Sequence, residues 1–243
     1  MNTLTIFKRE LTSYFTQPTA YAIVIIFGFL SILLTFTIGN FWAIGDASLH
    51  GSFFRFHPLL LMILVPAVSM RQWSDEHSTG TIELLGTFPV KLRSAIWGKF
   101  LASALVWALA LALTFPIVWT VNYLGEPDNW TIFSGYLGSF LVCLTFLAIT
   151  TLVSAFTRDQ VVALIASVAI CCVLTICGWE PVINEIRRSG SEAAVDTMTK
   201  LGIYSHFFEA TLGKISVTSL LYFFGLIIVC LLGTNLVLKS RRA

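Results

Sequence analysis

The segment from Asp75 to Pro89 holds the side chains whose types and spacing best suit specific recognition chemistry. Its sequence is DEHSTGTIELLGTFP. Gly80 can act as the N-cap of a helix, and Glu83 then lies three residues later, beside the positive helix end. Pro89 is suited to the first turn of a following helix because it has no backbone N–H. The pattern therefore predicts a short capped helix between two longer ones.

The predicted short helix has one apolar side, and this leaves two interpretations open. Ile82, Leu84 and Leu85 form that side. A rigid helix of this kind can press into a groove on a soluble partner protein. The same helix can instead rest on a membrane surface, with Glu83 serving only as a capping residue. Both interpretations fit the residues equally well.

Sequence motifs of catalytic and metal sites are absent from the chain. It has no G-x-x-x-x-G-K-[ST] phosphate loop, no H-E-x-x-H zinc motif and no G-x-S-x-G nucleophile motif. The four histidines are predicted to lie on both sides of a membrane and so cannot form one metal site; they are His50, His57, His77 and His206. We therefore expect no catalytic residue, no cofactor-binding residue and no metal site. The net charge of +2 is too small to suggest nucleic acid as a partner.

Six long runs with few or no charges must position these residues. About 20 apolar residues are needed to cross the hydrocarbon layer of a bilayer. The predicted spans are about 19–41, 53–73, 96–123, 132–156, 159–179 and 215–239. Hydrophobic residues make up 56% of the chain and charged residues only 12%, which is about half the charged share of soluble domains. The sequence predicts an all-α integral membrane protein with six transmembrane helices in a single domain, residues 1–243.

Two segments outside the spans are predicted to be helical. Residues 1–18 place apolar side chains at helical spacing and read as an amphipathic helix lying in the membrane interface, the alternative being a frayed tail. The stretch 180–214 is too long for a simple turn. It is predicted to form short amphipathic helices on the external face, broken at Gly190 and Gly202.

The distribution of positive charge predicts the orientation of the spans. Ten of the fifteen Lys and Arg residues fall on one side: Lys8, Arg9, Arg71, Lys91, Arg93, Lys99, Arg158, Lys239, Arg241 and Arg242. Positive loops favour the cytoplasm, so both termini are predicted to be cytoplasmic. An even number of spans agrees with this, because it places both termini on one side.

A family resemblance adds to this interpretation. The residues that carry it are Glu76, Gly80, Thr81, Glu83, Leu84, Leu85, Pro89, Gly98 and Lys99. In this order, at the end of span two and the entry to span three, they resemble the permease subunits of type-2 ABC (ABC-2) exporters. A looser match resembles the gliding-motility-associated subgroup of these permeases. It rests on Ser205, His206, Phe207, Gly213, Ile215, Tyr222 and Phe223.

The resemblance implies that ATP hydrolysis and substrate movement are carried out by different subunits. A separate ABC ATPase subunit would bind ATP and Mg²⁺, and segment 76–89 would be the coupling helix seated in a cleft of that subunit. The residues implied in coupling are Asp75, Glu76, Gly80, Thr81, Glu83, Leu84, Leu85 and Pro89. A second permease chain, identical or homologous, would complete the path in the bacterial inner membrane, among membrane lipid. His206 is a candidate external gate, or else one member of an interfacial aromatic belt with Tyr204, Phe207 and Phe208.

The leading hypothesis is therefore a permease that couples ATP hydrolysis by a partner to substrate movement. A membrane scaffold that anchors other proteins and moves nothing is the alternative. An integral-membrane enzyme would need titratable groups that converge at one depth, and the sequence shows none.

Overall fold

The computed structural model describes residues 3–16, 18–44, 49–80, 92–188 and 192–240. These residues form helices joined by short turns and contain no β-strand. Six segments among them are long and apolar enough to cross a membrane: Ala20–Thr37, Phe54–Ser78, Leu92–Leu124, Asn129–Phe156, Gln160–Cys177 and Val217–Ser240. The predicted all-α fold with six candidate spans is confirmed. Helices suit this setting because lipid offers no partners for backbone N–H and C=O groups.

The helices are numbered in chain order. They are α1 (Thr3–Thr16), α2 (Pro18–Thr37), α3 (Phe41–Ile44), α4 (His57–Ser69), α5 (Arg71–Ser78), α6 (Leu92–Ala112), α7 (Pro116–Leu124), α8 (Asn129–Phe156), α9 (Gln160–Cys177), α10 (Glu180–Arg188), α11 (Glu192–Leu201), α12 (Ile203–Thr211) and α13 (Val217–Ser240). A short 3₁₀ turn, Phe54–Phe56, precedes α4.

Consecutive spans run in opposite directions, so their ends meet at two faces. The basal face is formed by residues 3–16, 71–80 and 157–160, and the apical face by residues 49–56, 125–130 and 178–216. Hydrogen bonds between spans join elements at each face. At the basal face Gln160 Nε2 donates to Asp75 Oδ1. At the apical face Trp130 Nε1 donates to the carbonyl oxygen of Gly213 at 3.1 Å.

Helix α8 is the central element of the bundle. It packs against α4, α5, α6, α9, α12 and α13, and most of its residues are buried. Asp128 caps its start, accepting from the hydroxyl of Thr131 at 2.7 Å and from the backbone N–H of Trp130 at 3.0 Å. These two bonds lower the pKa of the Asp128 carboxyl, since they favour its charged form.

Two glycines of α8 allow neighbours to approach closely. A Cβ atom at Gly135 would lie 2.6 Å from the ring of Phe54, and one at Gly138 would lie 2.8 Å from Ala210 Cβ. Ser134 and Gly138 form a small-residue pair of the kind that favours a close approach of two helices. Gly138 has this role, and its neighbour is the short apical helix α12.

Prolines lie in two of the predicted spans, and one of these spans is divided. Pro58 lies in the first turn of α4 and Pro66 lies inside it, and Met70, at the junction with α5, keeps helical φ and ψ angles of −54° and −31°. The sequence predicted one span over 96–123, but α6 ends at Ala112 and α7 begins at Pro116 after a turn. Proline cannot donate the backbone bond that would continue the first helix. The break therefore falls directly before it.

Helix α1 packs against the protein with Ile6 and leaves Leu4 on its outer side. Ile6 is 4% exposed and packs inward, whereas Leu4 is 64% exposed. Three short helices, α10 to α12, lie between the last two spans. The predicted break at Gly202 is present, and Gly190 lies outside the described residues. Gly202 passes so close to Gly178 that a Cβ on Gly202 would lie 2.2 Å from Gly178 Cα.

Candidate functional site

A lysine near the start of α6 is buried at the basal face. Lys99 is 6% exposed, and among the described residues it is the one Lys or Arg that is buried. Its Nζ atom lies 2.6 Å from Glu76 Oε1 and donates to the carbonyl oxygen of Gln72, also at 2.6 Å. Nζ further lies 4.7 Å from the ring centroid of Trp73. A buried charge requires such partners in place of water, so Lys99 ties α6 to α5.

Gln72 extends these contacts to a third helix. Its side-chain Nε2 donates to Ser103 Oγ of α6 at 2.6 Å, and its Oε1 accepts from Thr151 Oγ1 of α8 at 2.8 Å. The amide nitrogen and the amide oxygen of Gln72 therefore both have a hydrogen-bond partner. This matters because an unpaired polar group in a buried site lowers stability. We refer to Glu76, Gln72, Lys99, Ser103, Thr151 and Tyr14 as the basal polar network.

Tyr14 joins α1 to the basal polar network. Its hydroxyl lies 2.8 Å from Ser103 Oγ. Ser103 Oγ also lies 3.1 Å from the carbonyl oxygen of Lys99, and when its proton is donated there Tyr14 donates to Ser103. Burial raises the pKa of Tyr14, which keeps the phenol protonated and able to donate at neutral pH.

Gly98 brings α1 close enough for this bond to form. A Cβ atom at Gly98 would lie 2.9 Å from Ile6 Cγ2 and 3.3 Å from the backbone nitrogen of Phe7. Any larger residue would push the two helices apart. The neighbouring residues Gly98 and Lys99 thus hold two different helices against α6. Gly98 allows the close packing of α1, and Lys99 binds α5 through its ion pair with Glu76.

The opposite side of α5 is bound to α8 and α9. Asp75 accepts from Gln160 at the start of α9. His77 Nε2 donates to the carbonyl oxygen of Ala155, near the end of α8, at 3.0 Å. Helix α5 is therefore connected by side-chain hydrogen bonds to α6, α8 and α9, and through Ser103 to α1.

Gly80 lies just after the last turn of α5. Its φ is +70°, a left-handed conformation that favours glycine just after a helix. The backbone N–H of Thr79 donates to Asp75 O at 3.0 Å, which closes the last turn. The N-cap role predicted for Gly80 concerns a following helix that lies outside the described residues, so that role stays a prediction. The other predicted coupling residues, Thr81, Glu83, Leu84, Leu85 and Pro89, lie outside the described residues.

A cleft of about 430 Å³ opens beside the basal polar network. Its lining comes from α1, α2, α4, α5 and α6 and includes Glu10, Tyr14, Arg71, Asp75, Glu76 and Lys99. The cleft therefore brings charged side chains of α1, α5 and α6 together at one opening. Gln72, Ser103, Thr151 and Tyr14 were not singled out from the sequence. The available signal was the spacing of Lys99 and Ser103, four residues apart on one helix side.

His206 lies at the apical face, away from this network. Its Nε2 donates to the carbonyl oxygen of Lys200 at 3.1 Å, and its Nδ1 lies 3.0 Å from Ser219 Oγ. Its ring stacks on Tyr222 with centroids 4.4 Å apart. These contacts connect α12 to the end of α11 and to α13, and the gating role of His206 stays a prediction. Tyr204 and Phe207 are buried in the protein, so they do not form an outward-facing aromatic belt.

Comparison with known families identifies the chain. The sequence pattern of the ABC-2 family transporter proteins matches residues 4–194, which is most of the chain. The chain belongs to the ABC-2 transporter family. It is a multi-pass membrane permease, the transmembrane component that works with an ABC ATPase partner and not the ATPase itself. No curated protein matches the chain significantly.

Replacing Lys99 tests the buried pair. Lys99→Met should lower the free energy of unfolding in detergent by about 3 kcal/mol, because Glu76 loses its cation in a buried site. The double variant Lys99→Met/Glu76→Gln removes both charges and should recover about half of that loss. Lys200→Met is the matched control: its pair with Asp196 spans 2.7 Å but is exposed, so the loss should stay below about 0.5 kcal/mol. Equal losses for Lys99→Met and Lys200→Met would contradict the role of the buried pair.

Gly98→Ala tests the packing of α1 on α6. The added methyl group should cost about 1–3 kcal/mol of unfolding free energy through overpacking against Ile6. Ile6→Ala removes the side-chain atoms that this methyl group would meet. In the Ile6→Ala background, Gly98→Ala should therefore cause little further loss of unfolding free energy. Gly28→Ala is the control, because a Cβ there meets nothing within 4 Å. If Gly98→Ala unfolds like Gly28→Ala, the close approach does not constrain α1.

Proposed function

We propose that this permease couples ATP hydrolysis by a separate ABC ATPase to the export of a substrate through segment 76–89. The observation that supports this proposal is the basal polar network. Residues 81–91 lie between α5 and α6 in the chain. Each of these helices contributes to the network close to this segment, α5 through Glu76 and α6 through Lys99, which form an ion pair. A displacement of the connecting segment therefore acts on both helices together.

The hydrogen bonds of the network would transmit that displacement to several other helices. Helix α5 is bonded to α8 through Gln72 and Thr151, and to α9 through Asp75 and Gln160. Gly98 and Tyr14 keep α1 in contact with the same helices. ATP binding to the partner would then bias a two-state equilibrium of the permease. In this proposal Glu83, Leu84 and the neighbouring residues form the contact with the ATPase.

The proposed assembly has two permease chains, identical or homologous, in the bacterial inner membrane. Large apolar side chains are exposed on α2, α9 and α13 and need lipid or a second chain beside them: Ile25, Phe29, Ile165, Val173, Leu221 and Val229. We place the path along spans one, two and five, by analogy with the family. The looser resemblance around His206 supports membership of the gliding-motility-associated subgroup as a further part of this proposal.

The orientation follows the distribution of positive charge. The basal face, with Lys8, Arg71 and Lys99, would be cytoplasmic, together with both chain termini. The segment 81–91 then faces the compartment that contains ATP. The apical helices α10 to α12 would lie at the opposite surface of the membrane.

Co-purification tests the coupling. The chain would be co-expressed with a candidate ABC ATPase and purified by a tag on the permease. Leu84→Arg, alone or with Glu83→Ala, should abolish recovery of the ATPase, because a charge on the apolar side of the segment opposes docking. Lys99→Met should leave the ATPase bound but lower ATP turnover by the complex several-fold, since it affects transmission and not contact. Lys200→Met should change neither measurement.

Two outcomes would contradict the coupling proposal. One is recovery of the ATPase with unchanged turnover in the Glu83→Ala/Leu84→Arg variant. The other is a complex whose permease shows the same protease sensitivity with and without ATP. That second result would favour the scaffold alternative, in which the ATPase is anchored but moves nothing.

Cysteine labelling tests the orientation. Lys214→Cys is exposed at the apical face and should react with a membrane-impermeant maleimide in intact cells. Ser13→Cys is exposed on α1 and should react only after the cells are permeabilised. The unaltered chain supplies the background from its own cysteines. The reversed pattern would place the basal face outside the cell and overturn the orientation.

A further inference from the structure

Two cavities adjoin at the apical face, and they differ in character. The upper cavity, of about 580 Å³, lies among α10, α12 and the residues before α4, and it is lined by charged, polar and aromatic side chains. The lower one, of about 350 Å³, is a mainly apolar groove between α4 and α9. Gly51, Arg55, Trp179 and Tyr204 line both cavities, so the two spaces meet at these residues.

The groove enters the depth of the membrane. Phe56, Leu59 and Met62 form one wall along α4, while Cys172 and Ile176 lie on the facing wall of α9. The distance along the chain from Arg55 to Met62 is about 10 Å at 1.5 Å per helical residue. These residues belong to candidate spans two and five. An apolar chain can therefore extend from the charged junction into the hydrocarbon layer.

The upper cavity has one cation and one anion that are not used in an ion pair with a described residue. Arg188 is paired with Glu185 at 3.2 Å, which leaves Arg55 and Glu180 among the charged groups lining the upper cavity, together with Tyr204. Burial raises the pKa of the Tyr204 hydroxyl, the charge of Arg55 lowers it, and the charge of Glu180 raises it. Arg55 is exposed. A ligand that carries both signs of charge would satisfy both side chains.

Aromatic rings surround this junction. Trp179 is partly exposed and lines both cavities, and Tyr204 stacks on Phe208 with ring centroids 6.3 Å apart. Phe208 in turn contacts the ring of His50 at 4.9 Å. Amphipathic rings are favoured at the level of lipid headgroups. Their position agrees with a headgroup in the upper cavity and a hydrocarbon chain in the groove.

We propose that this junction binds a zwitterionic phospholipid whose phosphate lies next to a primary ammonium group, as in phosphatidylethanolamine. Arg55 holds the phosphate, and Glu180 accepts from the ammonium. One acyl chain lies in the groove between α4 and α9. A purely anionic headgroup would satisfy Arg55 but be repelled by Glu180, and a quaternary ammonium group has no N–H to donate to Glu180.

The assignment of this lipid as the exported substrate rests on the proposed function, whereas its binding does not. Binding is measured on the purified permease without ATPase or ATP. A failure of the coupling experiments therefore leaves the binding result unchanged. Conversely, a permease that couples to its ATPase but shows no lipid preference would contradict the lipid proposal and leave the proposed function in place.

Photo-crosslinking tests the site. The probe is phosphatidylethanolamine with a photoactivatable group in one acyl chain, added to the permease in phosphatidylcholine nanodiscs. Cross-links should map to peptides of α4 and α9. Unlabelled phosphatidylethanolamine should compete about tenfold better than phosphatidylcholine or phosphatidylglycerol, the difference expected for a charge-assisted hydrogen bond. This selectivity is measured on the unaltered chain and needs no variant to fold.

Charge variants identify the residues. Arg55→Gln should weaken competition by phosphatidylethanolamine about tenfold. Glu180→Gln should weaken it as well but strengthen competition by phosphatidylglycerol, because the repulsion of the anionic headgroup is removed. Arg187→Gln is the control, an exposed cation on α10 that does not line either cavity. Equal competition by all three lipids, or equal behaviour of the three variants, would mean annular lipid only and would overturn the proposal.

Discussion

The buried ammonium group of Lys99 is the constraint on which the basal half of this permease depends. An uncompensated charge in a site of this kind costs several kcal/mol, so the chain must bring oxygen atoms to it. Glu76 and the carbonyl of Gln72 provide them at 2.6 Å, and both belong to α5. The placement of α5 in turn brings Gln72 to Ser103 and Thr151, and Ser103 receives Tyr14. One charge thus organises contacts among four helices.

Both faces of the bundle combine polar hydrogen bonds with close glycine contacts. At the basal face the polar network acts together with the close approach of Gly98 to Ile6. At the apical face the hydrogen bonds of Trp130 and His206 act together with the close contacts of Gly178 with Gly202 and of Gly138 with Ala210. Polar hydrogen bonds have a small number of allowed geometries, so they can transmit a displacement. Close glycine contacts allow short helices to lie against the spans and form the walls of a cavity.

The number and type of the elements could be predicted from the sequence, because lipid permits few alternatives to a helix of about 20 apolar residues. Hydropathy does not reveal which side of each helix faces the protein. For this reason Ile6 was missed, and so were Ser103 and Thr151, which are small polar residues in otherwise apolar spans. Gly80 was predicted at a helix boundary, and it lies just after α5 with a φ of +70°. Residue type alone did not indicate that it follows a helix, because a glycine can follow one helix or precede the next.

Span two connects the two regions that carry the functional proposals. Arg55 lies at its apical start and Glu76 near its basal end, about 30 Å apart along the helical segment. Asp75 and Gln160 fix the base of α9 to α5, so the two walls of the apical groove, α4 and α9, share an anchor at the opposite face. Met70, where α4 meets α5, has helical φ and ψ angles of −54° and −31° and donates its backbone N–H to the carbonyl oxygen of Pro66, so α4 and α5 continue as one rod. A tilt of α5 would therefore change the separation of α4 and α9 most at their apical ends, where the groove meets the charged junction. In this geometry the rod would act as a lever between the basal polar network and the proposed lipid site, with no chain of side-chain contacts needed in between.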